Sequence, residues 1–268
     1  MTKNLKRLTA LLTAFVVLVS MLMYFPEGTF GSFGLGVTAS AATLNPSSSV
    51  ATEAPTSGNG TLSNPYIITN KAQLYWLAGK TNLHAKLDAD IVVNAGVLDS
   101  NGDLNSGTFD EWPGLKVYKG SFDGGNHTIK GIIVKQPTEN YQGFIIGSSM
   151  SDFFQGEVKN LKIADSYIEG NEDVGGICGF SWDGVVSNCS FDGTVIGNTN
   201  VAGICGHVQQ RDFNNIVEKC INTGKVSGSK RVGGIVGYAD CLIKIEKSVN
   251  KGKISGTDHI VDLSMMCQ

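Results

Sequence analysis

Three hexapeptides in the second half of this chain are nearly the same: Val174-Gly-Gly-Ile-Cys-Gly179, Val201-Ala-Gly-Ile-Cys-Gly206 and Val232-Gly-Gly-Ile-Val-Gly237, with starts 27 and 31 residues apart. A second block trails each one: Val186-Ser-Asn-Cys-Ser-Phe-Asp-Gly-Thr-Val195, Val217-Glu-Lys-Cys-Ile-Asn-Thr-Gly-Lys-Val226 and Ile245-Glu-Lys-Ser-Val-Asn-Lys-Gly-Lys-Ile254. Val158 to Tyr167 follows that template more loosely. With Leu161, Cys189, Cys220 and Ser248 in one column, the steps are 28, 31 and 28. Two blocks that keep phase while the loop between them varies describe a solenoid, whose turns bury their inner faces only by stacking on one another. Each repeat holds short β-type runs divided by Gly, Asn and Asp, and none holds a helical pattern of useful length. The solenoid is therefore expected to be all-β. Val174, Ile177 and Cys178 cannot all point inward on a regular strand, so the backbone must turn a corner near Gly176.

The order V-G-G-I-C/V-G, then V/I-x-N/K-C/S, then G-x-V/I-x-G resembles the GLUG repeat of bacterial surface proteins. Tyr118-Lys-Gly-Ser-Phe-Asp-Gly-Gly-Asn-His-Thr-Ile129 is similar to the F-x-G-x-F-D-G-x-G-H-x-I motif that precedes such repeats. Asn126 stands where that motif has Gly, a tolerable change because Asn also enters left-handed conformations. Gly60 to Ile67 and Gln73 to Ala78 resemble the usual opening of these domains. The resemblance runs roughly from Gly60 to Gly256. It implies a right-handed parallel β-helix, as found in adhesins and in accessory regions of secreted peptidases, with no common catalytic residues. The expected architecture is a domain at 60–256 of about seven coils, with GLUG-like repeats at 174–200, 201–231 and 232–256.

Around this domain the chain changes character. Lys3, Lys6 and Arg7 precede the apolar run Leu8 to Met23, and Ala39-Ser40-Ala41 follows. That order defines a secretory signal peptide at 1–42. The alternative is an uncleaved anchor, since Leu8 to Phe25 is nearly long enough to span a bilayer. Residues 43–59 are rich in Ser, Thr, Ala and Pro without periodicity and are expected to form a flexible linker. Asn70 and Gln73 have the spacing of a capping box ahead of Leu74, Leu77 and Ala78, which predicts a short N-terminal helix covering the first coil. From Ala85 to Val93 apolar residues alternate as in a half-buried strand. Beyond Gly256 the template asks for another V-G-G-I, but 257–268 read as an irregular tail. A solenoid normally ends in a dedicated cap, so the tail points to a truncated product.

Charge narrows the partners. The net charge is −3, and without the first 42 residues 18 basic groups face 23 acidic ones, or −5. Nothing here attracts phosphate backbones, so nucleic acid is excluded as an expected partner. No apolar run after the leader approaches membrane-spanning length. The expected location is extracellular or cell-surface.

Chemistry is less legible. Cys178 and Cys205 share one repeat column and Cys189 and Cys220 another. Stacked neighbours in a parallel ladder lie too far apart, with parallel Cα–Cβ vectors, to suit a disulfide, so buried thiols are expected. Asp99, Asn101, Asp103, Asn105 and Asp110 have the alternation of a calcium loop. Leu104 occupies the place where the sharp turn needs Gly, so no metal or other cofactor is assigned. The acids Asp110, Glu111, Asp123, Asp183 and Asp240 show no spacing that pairs two carboxylates, and no nucleophile or phosphate-loop motif occurs. The chain is therefore read as non-catalytic. Phe180, His207 and Tyr238 each lie six residues after their repeat's first Val, and stacking should set them in a column. Trp182, Asp183, Arg211, Phe213 and Asp240 lie in the adjoining loops. Such a strip is either an internal aromatic ladder or an outward surface for a glycan or a host protein. The expected function is an adhesin-like binding or stalk module. The alternative is an accessory N-terminal region of a larger extracellular peptidase or polysaccharide-degrading enzyme.

Overall fold

The computed structural model describes residues 42–147, 154–209, 216–240 and 243–261. The expected leader, but for residue 42, lies outside them.

The repeats stack as four walls of parallel strands. The wall with the longest unbroken stack runs Tyr66–Ile68, Ala85–Leu87, Ser121–Asp123, Glu157–Lys159, Val185–Ser187, Ile216–Glu218 and Lys244–Glu246. A second is centred on Lys162–Glu169 and Ser190–Ile196, and a third holds Leu115–Lys116, Ile145–Ile146, Cys178–Trp182, Cys205–Gln209 and Val236–Ala239. The fourth holds only Glu172–Gly175, Thr199–Ala202, Lys230–Gly233 and Asp258–Val261. Complete turns therefore number about four, not the seven expected. Seven is the strand count of the wall from Tyr66–Ile68 to Lys244–Glu246, whose N-terminal strands belong to incomplete turns.

The repeat columns become vertical neighbours. Cys178 pairs with Cys205 and Cys205 with Val236. Cys189 and Cys220 are buried, and each thiol donates to the carbonyl two residues back, Ser187 O and Glu218 O, at 3.3 Å. Ser248 Oγ makes the same bond to Glu246 O at 3.1 Å, which is why Ser can replace Cys in this column. All four of these cysteines are free. Burial, then Cys220, pushes the Cys189 thiol up, while its hydrogen bond with Cys178, then burial, does so for Cys205. All four thiols are buried and serve as packing groups. Cys241 and Cys267 lie outside the described residues.

Left-handed residues turn two of the corners, one per coil at each. Asn160, Asn188, Lys219 and Lys247 have φ of 54°, 51°, 54° and 51°, and Asp173, Asn200, Arg231 and His259 have 57°, 56°, 56° and 50°. Asn serves such corners well because its amide bonds locally while the backbone is left-handed. Here Asn188 Nδ2 donates to Asn160 Oδ1 at 2.8 Å, and Asn160 Nδ2 to Asp123 Oδ1 at 2.9 Å. Asn126, with φ 65°, is left-handed as its motif position requires. The corner expected near Gly176 separates the strands Glu172–Gly175 and Cys178–Trp182. A Cβ on Gly176 would stand 2.3 Å from Gly203 O and 2.4 Å from the Phe191 ring, so the second glycine of the motif is a point of close approach.

Three expectations about the ends are corrected. The helix Lys71–Leu77 forms, with Asn70 Oδ1 accepting from Gln73 N at 2.9 Å. It does not precede the first coil as a lid. Tyr66–Ile68 comes before it as the edge strand, so the helix is an insertion between two strands of one wall, burying Leu74, Tyr75 and Leu77. Residues 43–59 are not a free linker. Thr43–Asn45 pairs in parallel with Thr108–Asp110, and Glu53 N donates to Ala72 O at 3.2 Å. Leu44 and Ala42 join Val97, Phe109, Ile133 and Tyr167 in a second apolar cluster. Lys71 Nζ clamps this arm through Asp110, whose carboxyl it holds below the usual range, with Asn45 adding a 3.0 Å bond. The tail is not irregular at its start: Asp258–Val261 pairs with Lys230–Gly233. The alternation from Ala85 to Val93 is also divided, into Ala85–Leu87 and Ile91–Val92 on different walls.

Candidate functional site

Parallel register brings the expected ring column together. Phe180 pairs with His207 and His207 with Tyr238. Their ring centroids are 4.9 Å and 5.0 Å apart, and Tyr141 extends the column at 5.6 Å from Phe180. Trp182 flanks it, 6.3 Å from Phe180 and edge-on. The main core draws Cys178, Cys205, Val208 and Val236 from the same wall, but none of these rings. The column is thus no internal ladder; it stands against the core wall from outside.

Its members differ in access. Phe180 is only 2 % exposed, so although expected in a binding strip it supports the others. Tyr141, Trp182, His207 and Tyr238 are half-buried. Asp183 lies in a left-handed turn after the Trp182 strand, with φ 62°. Arg211 and Phe213 lie outside the described residues.

Charged groups border the rings. His207 lies between two carboxylates, Nδ1 at 3.3 Å from Asp173 Oδ1 and Nε2 at 3.6 Å from Asp240 Oδ2. Asp173 also accepts from Asn200 Nδ2 at 2.6 Å, and Arg231 reaches Asn200 Oδ1 at 3.4 Å. The Arg231 guanidinium lies 4.0 Å over the Tyr238 ring, a cation–π arrangement. Burial, then Asp173 and Glu172, pushes the Tyr141 phenol up.

Sequence reasoning missed Asp173, Arg231 and Tyr141. The first two were within reach, because Asp173, Asn200 and Arg231 each directly precede their repeat's first Val. Tyr141 was harder. Tyr141-Gln-Gly-Phe-Ile-Ile-Gly147 is a degenerate earlier copy of the motif: Ile145 pairs with Cys178, while Tyr141 N donates to Glu172 O and Gly175 N to Gln142 O, which sets Tyr141 at the corner of Asp173 and Gln142 beside Val174.

The calcium-loop donors do not converge. Asp99 Oδ1 accepts from Asn101 N at 2.8 Å and Asp103 N at 2.9 Å, while Asp103 pairs with Lys225 at 2.7 Å. Asn105 Nδ2 donates to Gly96 O at 3.1 Å, and Asp110 belongs to the Lys71 clamp. Asp123 Oδ1 accepts from Gly125 N at 2.9 Å and is a turn residue.

Fold and column together define an all-β parallel solenoid carrying an aromatic strip on one wall. Residues 170–196 match the family described as the GLUG motif, so the chain carries that motif. It is 31% identical over 154 residues to Halomucin of Haloquadratum walsbyi (strain DSM 16790 / HBSQ001), a match covering 56% of this chain and 2% of Halomucin. The chain therefore corresponds to a small fraction of that relative's length. Among solved structures, it is similar to a Bacteroides ovatus protein provisionally described as an immunoglobulin A1 protease. The TM-score is 0.55 at 22% identity, over 75% of this chain and 70% of the other. That likeness concerns the fold. Among the described residues, no helix is long and apolar enough to cross a membrane.

Proposed function

We propose that this chain is an exported, cell-surface or secreted β-helical protein that works by binding, with no reaction of its own. Its adhesin-like ligand is a glycan or an extracellular protein. The observation that carries this reading is the ring column outside the core, with Trp182, His207 and Tyr238 half-buried beside Asp240 and Arg231. Rings presented on a rigid wall give large contact area at low entropic cost, and function on such scaffolds resides in what the wall displays. The carboxylates nearest the column, Asp173 and Asp240, both face His207. That supports a positioning role for them over an acid–base pair.

A glycan and mucin binding screen of the full chain tests this. Trp182→Ala and Tyr238→Ala should each weaken binding, by roughly tenfold for loss of one stacking ring at a contact centre. Equal binding by both variants would defeat the strip. The second reading, an accessory region of a larger extracellular enzyme, draws support from the small share of Halomucin matched and from the protease-related solenoid. A longer reading frame with a catalytic domain would favour it.

A further inference from the structure

Next to the column, between the 136–142 loop and the Glu111–Lys116 segment, lies a cleft of about 590 Å³. That volume falls within the range of small-molecule sites. We propose that this cleft binds one unit of an uncharged saccharide stacked on Tyr141. The proposal deepens the binding reading above and rests on it.

The lining has the chemistry of sugar recognition. Glu111 and Glu139 offer acceptors for hydroxyls, and Gln136 and Gln142 offer both donors and acceptors. Gln136 Nε2 donates to Glu111 Oε1, and Gln142 Nε2 to Asn140 O at 2.6 Å, so these groups are held in place. The loop itself is pinned to the next coil, since Asn140 Oδ1 accepts from Asn171 Nδ2 at 3.0 Å and from Glu172 N at 3.2 Å. Tyr141 lines the cleft and also touches Phe180, joining the pocket to the ring column.

Two further features narrow the ligand. Glu111 and Glu139 outnumber Lys116 in the lining, and Glu172 stands beside the loop, so the field repels uronate and sialate. Tyr141 is left-handed, with φ 65°, its N donating to Glu172 O at 2.8 Å and its O accepting from Gly147 N at 3.1 Å. Later coils place Asp173, Asn200, Arg231 and His259 at left-handed corners, so the position takes long side chains as well as the short polar types that adopt it most cheaply. From this corner the Tyr141 ring reaches both the cleft and Phe180.

Titration calorimetry of the full chain with tetra-N-acetylchitotetraose and with tetragalacturonate tests the assignment. The chain should bind the neutral probe and not the acidic one. Tyr141→Asn, which suits the left-handed backbone, should weaken the neutral probe by roughly tenfold or more, and Tyr141→Phe should stay within about threefold. Glu139→Gln, at an exposed position, should raise the affinity for tetragalacturonate, a readout independent of any effect of the Tyr141 variants on folding. Preference for tetragalacturonate, a neutral probe indifferent to Tyr141→Asn, or an unchanged affinity of Glu139→Gln for tetragalacturonate would overturn the cleft. If Tyr238→Ala still weakened binding in that case, the strip would stand without it. Failure of the wild-type chain to bind the neutral probe would also overturn the cleft, while mucin binding sensitive to Trp182→Ala would still support the strip.

Discussion

Asn222→Asp should destabilise the solenoid by about 3–5 kcal/mol at pH 7, the cost of leaving an unpaired charge in a core. Asn222 has no solvent exposure, and it pairs with Phe191 on one side and Asn250 on the other. Its Nδ2 donates to Asn250 Oδ1 at 2.8 Å and to Gly224 O at 3.3 Å, and its Oδ1 accepts from Gly224 N at 3.1 Å. A carboxylate keeps the acceptor and loses both donations, so it faces two oxygens in a dry interior. The new carboxyl should titrate above its unfolded value, because burial and the facing oxygens disfavour the charged form. The sign follows: the deficit is full above the folded pKa and shrinks as pH falls towards the unfolded carboxylate range near ~4. Urea unfolding midpoints at pH 7 and pH 4.5 check this. Equal midpoints for variant and wild type at pH 7 would contradict the ladder.

Gly176→Ala should cost about 3 kcal/mol, the upper end for overpacking a tight interior. The obstacles to its methyl are Gly203 O and the Phe191 ring. The same place in the next coil is equally closed, since a Cβ on Gly203 would stand 2.2 Å from Asn222 Cγ and 2.5 Å from Gly234 O. The second glycine of the motif thus packs on the Phe191–Asn222–Asn250 column. The first glycine is closed as well, a Cβ on Gly175 standing 2.1 Å from Cys178 O, yet Ala202 occupies the same register position in the next coil. Thermal unfolding of Gly176→Ala against wild type measures the difference, and a change of only a few tenths of a kcal/mol would remove the close-approach explanation of the V-G-G-I motif.

These two cases show what a repeated sequence makes legible. Position within a repeat becomes position on a wall, so the Cys178–Cys205–Val236 and Phe180–His207–Tyr238 columns could be read without coordinates. Whether a column lies inside or outside could not, because the corner at Gly176 resets the alternation of faces. Features that occur once were poorly legible. The arm at 42–45 reads Ala-Thr-Leu-Asn and runs on into Pro46 and three serines, yet Ala42 and Leu44 pack on Ile133 and Tyr167, which lie outside the main core. The motif copy at 141–147 lost its signal to Tyr141 and Gln142, the residues that build the cleft.

The most direct test of the binding wall is a crystal structure of the full chain with tetra-N-acetylchitotetraose. The expected result is a sugar ring against Tyr141 in the 590 Å³ cleft, with the chain of sugars running towards His207 and Tyr238. Sugar bound elsewhere, with the Tyr141 to Tyr238 column bare, would contradict it.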